Sequence, residues 1–130
     1  MSERLDAMRR LMRLQGQVKR LAEARLAEAE AERREIEAAQ RDLDAFVGEA
    51  PVAGKLASLV VVQRRRLGAQ AVLAGQKVDR QAQETREART RLKIAERMAE
   101  TLGAEDRQLQ ERKEFERLLD GMMGRKPAAL

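Results

Sequence analysis

The sequence of 130 residues has no histidine, cysteine, tryptophan or tyrosine, and only two phenylalanines and two prolines. Imidazole and thiolate metal ligands are therefore missing, as are the histidine and cysteine on which the common nucleophilic triads depend. Carboxylate chemistry would need carboxyl groups in a concave, partly desolvated pocket, and few bulky side chains could wall one. We expect a protein that is not an enzyme and that uses no metal or cofactor.

The shortage of aromatic residues also limits the kind of core that the chain can form. Aromatic side chains bury the most area per residue, so alanine, leucine and valine must do most of the packing. Charged residues make up 38% of the chain, and alanine, glutamate, arginine and leucine are abundant. This composition is typical of long helices and coiled coils and predicts an all-α fold.

Long hydrophobic runs are absent as well. The longest apolar stretch, Leu56 to Val62, contains Ser58 and is far shorter than the roughly 18 residues that a membrane span requires. The first residues include acids and lack the apolar region of a signal peptide, and a lack of cysteine is compatible with a reducing compartment. We expect a cytoplasmic protein with no membrane span.

One segment interrupts the helical pattern, the stretch from Gly48 to Gly54, which has Pro51 at its centre. Glycine and proline end helices on either side of such a segment. The pattern predicts a single domain over residues 1–130, with a helix at 2–47 capped by Ser2, a turn at 48–54, a helix at 55–121 and a frayed tail at 122–130.

Both predicted helices carry apolar residues at alternating steps of three and four, the heptad spacing of left-handed coiled coils. In the first helix the predicted seam is Met8, Leu11, Gln15, Val18, Ala22, Arg25, Ala29, Glu32, Ile36, Ala39, Leu43 and Phe46. In the second it is Val60, Leu67, Ala71, Ala74, Val78, Gln81, Thr85, Ala88, Leu92, Ala95, Ala99 and Leu102. This register places Gly16, Gly68, Gly75 and Gly103 outside the seam, either as tolerated surface glycines or as sites of close approach by a partner.

Charge predicts how the helices pair. Residues 23–51 carry a net charge of minus five and residues 52–80 carry plus five. Folding back at the turn would place residue i opposite residue 103 minus i and bring these two segments together, and complementary charge selects partners and orientation in coiled coils. We therefore predict an antiparallel two-helix coiled-coil hairpin whose open end, formed by both termini, is basic.

Beyond about Thr101 the second helix has no partner in this register, so a C-terminal helical overhang is predicted. The overhang still carries apolar residues, including Phe115, Leu118 and Leu119, and an exposed apolar stripe needs something to cover it. The apolar stripe of the overhang could be covered by the end of the hairpin, by another copy of the chain or by a partner protein. The run from Leu59 to Val62 near the turn also has two interpretations. It could pack within the hairpin, or it could form a patch on which a partner docks.

The run Arg64-Arg65-Arg66 and the net charge of plus five keep nucleic acid among the conceivable partners. However, the aromatic side chains on which single-stranded bases stack are missing, and the three arginines face the acidic part of the first helix. Nucleic-acid binding is therefore an unfavoured alternative.

The layout of the chain resembles a known family. The segment MRRLMRLQGQVKRLAEARLAEAEAERREIEAAQRDLDAF, the Gly/Pro turn and the longer helix VDRQAQETREARTRLKIAERMAETLGAEDRQLQERKEFERLLD look like the FliJ proteins of flagellar export and their YscO-type counterparts in injectisomes. The resemblance covers nearly the whole chain. It lies in the length of the chain, the order of its segments and the heptad spacing of its apolar residues.

The resemblance implies a stalk protein of a type III export apparatus that inserts its terminal end into the hexameric export ATPase. It also implies binding to the cytoplasmic domain of the export gate and to export chaperones, with peripheral association at the membrane through that apparatus. The implied ATPase-facing residues are Met8, Arg9, Arg10, Leu11, Arg13, Phe115, Leu118 and Leu119. The implied gate- and chaperone-docking residues are Leu43, Phe46, Val60 and Leu67. A structural coiled-coil adaptor with another partner is the main alternative.

Overall fold

The computed structural model describes residues 3–49 and 53–124, and these contain two long α-helices and no strand. Helix α1 runs over Glu3–Glu49 and helix α2 over Lys55–Gly124. The two helices pack against each other, as the all-α prediction requires. The predicted cap Ser2, Pro51 of the predicted turn and the last six residues of the predicted tail lie outside the described residues.

The helix bounds differ from the predicted ones by a few residues. Gly48 and Glu49 continue α1, although the sequence placed both in the turn. Gly54 precedes α2 with a φ of 69°, a left-handed conformation that glycine adopts without steric penalty. Its carbonyl oxygen accepts a hydrogen bond of 3.3 Å from the Ser58 amide, which closes the first turn of α2.

The chain divides into two compact units, each containing part of both helices. The middle unit comprises residues 17–89, and the terminal unit comprises the described residues from 3–16 and 90–124. Each unit has buried side chains from both helices, so each holds its own section of the contact between α1 and α2.

Small side chains dominate the core of the middle unit. Ala22 and Ala29 of α1 are buried, as are Ala74 and Ala88 of α2. Thr85 is 1% exposed, and its hydroxyl lies 2.7 Å from the carbonyl oxygen of Gln81 and 3.2 Å from that of Ala22 on the other helix. A threonine side chain reaches the backbone of a neighbouring helix only where the two helices approach closely, which the alanines permit.

The helices pair in a different register from the predicted one. Thr85 lies opposite Ala22, where the predicted register would place Gln81. The ion pairs Lys77–Glu32 at 3.0 Å and Arg64–Asp44 at 3.2 Å have the same offset to within two residues. The predicted register is therefore wrong by about four to six residues, because each α1 residue in these contacts meets an α2 residue that lies four to six positions farther along the chain than predicted.

The buried face of α1 also differs from the predicted seam. Met8, Ala22 and Ala29 are buried as expected, but at the predicted positions Leu11, Val18 and Arg25 the half-buried residue is the next one along the chain, namely Met12, Lys19 and Leu26. The predicted seam residues that prove to be exposed are Leu11, Val18, Arg25, Glu32 and Phe46. The observed face avoids burying a charge at Arg25 and partly buries Leu26 instead. In α2, by contrast, every buried residue belongs to the predicted seam.

Two glutamines place polar atoms in the contact between the helices. The Oε1 atoms of Gln15, in the terminal unit, and Gln81, in the middle unit, are buried, and among the described residues neither has a hydrogen-bond partner. A buried acceptor without a partner costs about 1–3 kcal/mol. These two residues therefore weaken the contact between the helices in each unit.

In the terminal unit the contact between the helices ends near Asp106. Leu5 and Met8 of α1 and Ala95 of α2 are buried, and a Cβ added at Gly103 would lie 4.0 Å from Leu5 Cδ1. Every residue from 107 to 124 is exposed. We call this stretch the overhang. It begins about six residues later than predicted, in line with the shifted register.

Replacing Gly68 and Gly75 with alanine is expected to stabilise the protein. A Cβ at either position meets no atom within 4 Å, and alanine exceeds glycine in helix propensity by about 1 kcal/mol. Urea unfolding followed by circular dichroism should show a higher free energy of unfolding for each variant. A lower value would contradict the open space around these positions. A stabilised variant that loses a binding partner would favour the close-approach interpretation of the glycines.

Candidate docking surfaces

Three exposed arginines on α1 form the basic part of the predicted ATPase-facing surface. Arg9, Arg10 and Arg13 follow the buried Met8 on the first turns of the helix. In the described part of the chain, no salt bridge joins any of the three to an acidic side chain. Their charge is therefore directed to solvent, where an acidic partner could reach it.

The other predicted ATPase-facing residues divide between the core and the overhang. Met8 belongs to the packed face of α1, whereas Leu11 is partly exposed. Phe115, Leu118 and Leu119 are exposed on the overhang. Gly103 lies beside Leu5, and Phe115 is twelve residues farther along α2, a distance of about 18 Å at 1.5 Å per residue. The structure therefore does not bring the two parts of this predicted site together.

The predicted docking residues near the turn prove to be of two kinds. Val60 and Leu67 are only 8% and 7% exposed, because they belong to the heptad positions of α2 that pack on α1. Leu43 is half-buried, and Phe46 is 47% exposed. A partner could contact Phe46 and the edge of Leu43, but not Val60 or Leu67 while the helices remain packed.

The exposed apolar surface near the start of α2 is formed by the neighbours of Val60. Leu59, Val61 and Val62 are all at least about half exposed, with Leu59 at 64%. The sequence pattern marked this run as wider than one helical face and placed only Val60 on the predicted seam, where it is buried. Leu59, Val61 and Val62 therefore replace Val60 as candidates for docking.

Of the three consecutive arginines of α2, Arg64 forms an ion pair with α1. Arg64 donates a hydrogen bond of 3.2 Å to Asp44 Oδ1, and both side chains are more than half exposed. Arg65 and Arg66 are exposed. Exposed ion pairs contribute little to stability, so the pair Arg64–Asp44 adds little to the contact between the helices.

These features define an all-α protein with two long, mutually packed helices and an exposed overhang. The chain matches no protein-family model, no curated protein and no solved structure. The likeness to the FliJ and YscO families thus rests on the layout of the sequence.

The described ranges, 3–49 and 53–124, contain no candidate membrane span and no candidate metal site. Neither helix has a stretch that is both long and apolar enough to cross a membrane. Within the same ranges, no group of three or more acidic side chains could hold a metal ion.

Proposed function

We propose that the protein is an antiparallel coiled-coil hairpin that serves as a non-enzymatic stalk and docking component of a type III export apparatus. Its partners would be the hexameric export ATPase, the cytoplasmic domain of the export gate and export chaperones. It would act in the cytoplasm and associate with the membrane peripherally through that apparatus.

The antiparallel arrangement is supported by the order of the contacts in the middle unit. Ala22 meets Thr85, Glu32 meets Lys77 and Asp44 meets Arg64, so residue numbers rise along α1 while they fall along α2. The three-and-four spacing of the buried residues in α2 supports a coiled coil, because a 3.5-residue period keeps one face of a helix against its partner.

The observation that carries the proposal is the uneven length of the helices. Helix α1 has 47 residues and α2 has 70, and the unpaired overhang of α2 keeps apolar side chains in solvent. The exposed arginines of α1 belong to the same terminal unit. A stalk that enters a ring needs a projecting end with apolar and charged contacts, and this unit offers both.

The roles of the two kinds of residue would differ. Arg9, Arg10 and Arg13 would be attracted to acidic side chains lining the ring, a contact that sets orientation and weakens as salt is added. Phe115, Leu118 and Leu119 would bury apolar surface inside the ring. Toward the turn, Phe46 with Leu59, Val61 and Val62 would offer the export gate or a chaperone an apolar patch.

Titrating the export ATPase of the same organism with the purified chain would test the proposal. We expect the rate of ATP hydrolysis and the assembly of the ring to rise and to saturate near one chain per six ATPase subunits. A helical chain that changes neither quantity would reject the stalk role and favour a coiled-coil adaptor with other partners. Salt-sensitive binding to DNA or RNA in the same buffers would instead favour the nucleic-acid alternative.

A further inference from the structure

A second heptad stripe runs along α2 on a face that α1 does not cover. It begins at Ile94 and ends at Met122, and its members follow one another at alternating steps of four and three residues. They are Ile94, Met98, Thr101, Glu105, Gln108, Arg112, Phe115, Leu119 and Met122, and all nine are exposed. Apolar residues at heptad spacing are the pattern of a helix that has a further helical partner, and five of these nine positions are apolar.

This stripe is distinct from the contact with α1. Ala95, Ala99 and Leu102 are buried or half-buried against α1, and Ile94, Met98 and Thr101 each precede one of them by one residue. One residue corresponds to a rotation of about 100° around the helix. The stripe therefore lies beside the packed face, and it continues on the overhang, where the described chain offers α2 no partner.

The composition of the stripe is apolar at both ends and polar in the middle. Ile94 and Met98 form one end, and Phe115, Leu119 and Met122 form the other. We infer that the stripe is an interface between two copies of this chain, with the two α2 helices antiparallel about a two-fold axis near Gln108. Each apolar end then packs on the opposite end of the second copy.

Charge in the middle of the stripe favours this occupant and this orientation. Glu105 and Arg112 lie on either side of Gln108. In the antiparallel pair, Glu105 of each copy comes within about one helical turn of Arg112 of the other copy, twice per dimer. A parallel pair in register would instead set Glu105 against Glu105 and Arg112 against Arg112, and like charges in a seam are destabilising.

The size of the contact indicates a reversible dimer. The stripe spans 28 residue steps, about 42 Å at 1.5 Å per residue, but only five of its nine side chains in each copy are apolar. Such a contact lies toward the lower end of the range for stable interfaces. We expect a dimer that forms in the micromolar range and dissociates on dilution.

Self-association would have a regulatory consequence, which rests on the proposed function. Phe115 and Leu119 would be buried in the dimer and are also among the residues proposed to enter the ATPase ring. The dimer and the ring complex would therefore exclude each other, and the dimer would shield the apolar overhang until a ring is present. The dimer itself requires no ATPase, so it is tested without one.

Sedimentation equilibrium of the full chain gives the first test. We expect a concentration-dependent dimer, with affinity reduced at least about tenfold by Leu119→Asp. Leu73→Asp is the control, since Leu73 is also an exposed leucine of α2 but belongs to the middle unit. Circular dichroism should show equal helicity in all variants. A chain that stays monomeric up to about 1 mM, or a Leu119→Asp variant that dimerises normally, would overturn the inference.

Charge exchange gives the second test. Glu105→Arg and Arg112→Glu should each weaken the homodimer, because each places like charges across the two-fold axis. An equimolar mixture of the two variants should form a heterodimer with about the affinity of the unaltered chain, because each arginine then meets a glutamate again. Single variants that dimerise as well as the unaltered chain would exclude the antiparallel pairing. Their result is independent of any effect on the ATPase.

Discussion

Ala29→Glu is expected to lower the free energy of unfolding by about 3 kcal/mol, the cost of leaving a charge buried without a partner. Ala29 is 1% exposed at the contact between α1 and α2. The glutamate must lose its hydration there or force the helices apart at a point where alanines hold them close. Urea unfolding monitored by circular dichroism would measure the loss.

Ala27→Glu is the matched control for this prediction. Ala27 is exposed two residues away on the same helix, so the control introduces the same side chain with the same helix propensity and the same change in net charge. We expect its unfolding free energy to stay within about 0.5 kcal/mol of the unaltered chain, as for most surface substitutions. Equal destabilisation by both variants would show that the close packing around Ala29 does not contribute to stability.

The sequence predicted α2 more accurately than α1, and the reason is physical. In α2 every predicted seam position is buried or half-buried, with Val60, Leu67 and Ala95 among the buried ones, although exposed apolar residues such as Leu59 and Leu73 lie outside the seam. In α1 a broad arc of leucines allows two phases of the heptad. The choice between them is made by the contact with α2, where Ala22 lies against Thr85 and Ala29 is buried.

The register could not be read from the sequence for a different reason. The glycines and the proline mark the position of the predicted turn. They do not show where each helix ends, and the length of the connection between the helices sets the register. Glu49 still belongs to α1, and the observed contacts differ from the predicted ones by about five residues. Charge complementarity alone did not correct this error, because the acidic and basic segments still face each other after a shift of about five residues.

The candidate docking residues were predictable by type but not by position. The heptad pattern placed Val60 and Met8 on the predicted seams, where both are buried. Only the family resemblance implied docking roles for these two residues, and a resemblance in layout does not separate seam residues from their exposed neighbours. Only the packed structure separates residues that hold the helices together from residues that a partner can reach.

Reversing charge at Arg9, Arg10 and Arg13 is expected to abolish stimulation of the export ATPase while the chain stays folded. All three side chains are exposed, and glutamate forms helices nearly as well as arginine, so helicity should not change. Three glutamates facing an acidic ring surface would replace attraction with repulsion, which costs several kcal/mol across an interface. The measurement is the ATP hydrolysis rate at saturating concentrations of the variant, with circular dichroism as the folding check.

A triple reversal at Arg34, Arg65 and Arg66 provides the matched control, because these exposed arginines lie in the middle unit and their reversal changes the net charge by the same amount. This control should keep full stimulation if contact with the ring depends on position rather than on net charge.

Stimulation by the unaltered chain should also decline as salt screens the contact. A folded Arg9, Arg10 and Arg13 variant that still stimulates the ATPase would remove the basic end from the interface and leave the apolar overhang as the ring-contacting element. Loss of stimulation in both triple variants would instead show that the overall charge of the chain governs its approach to the ring.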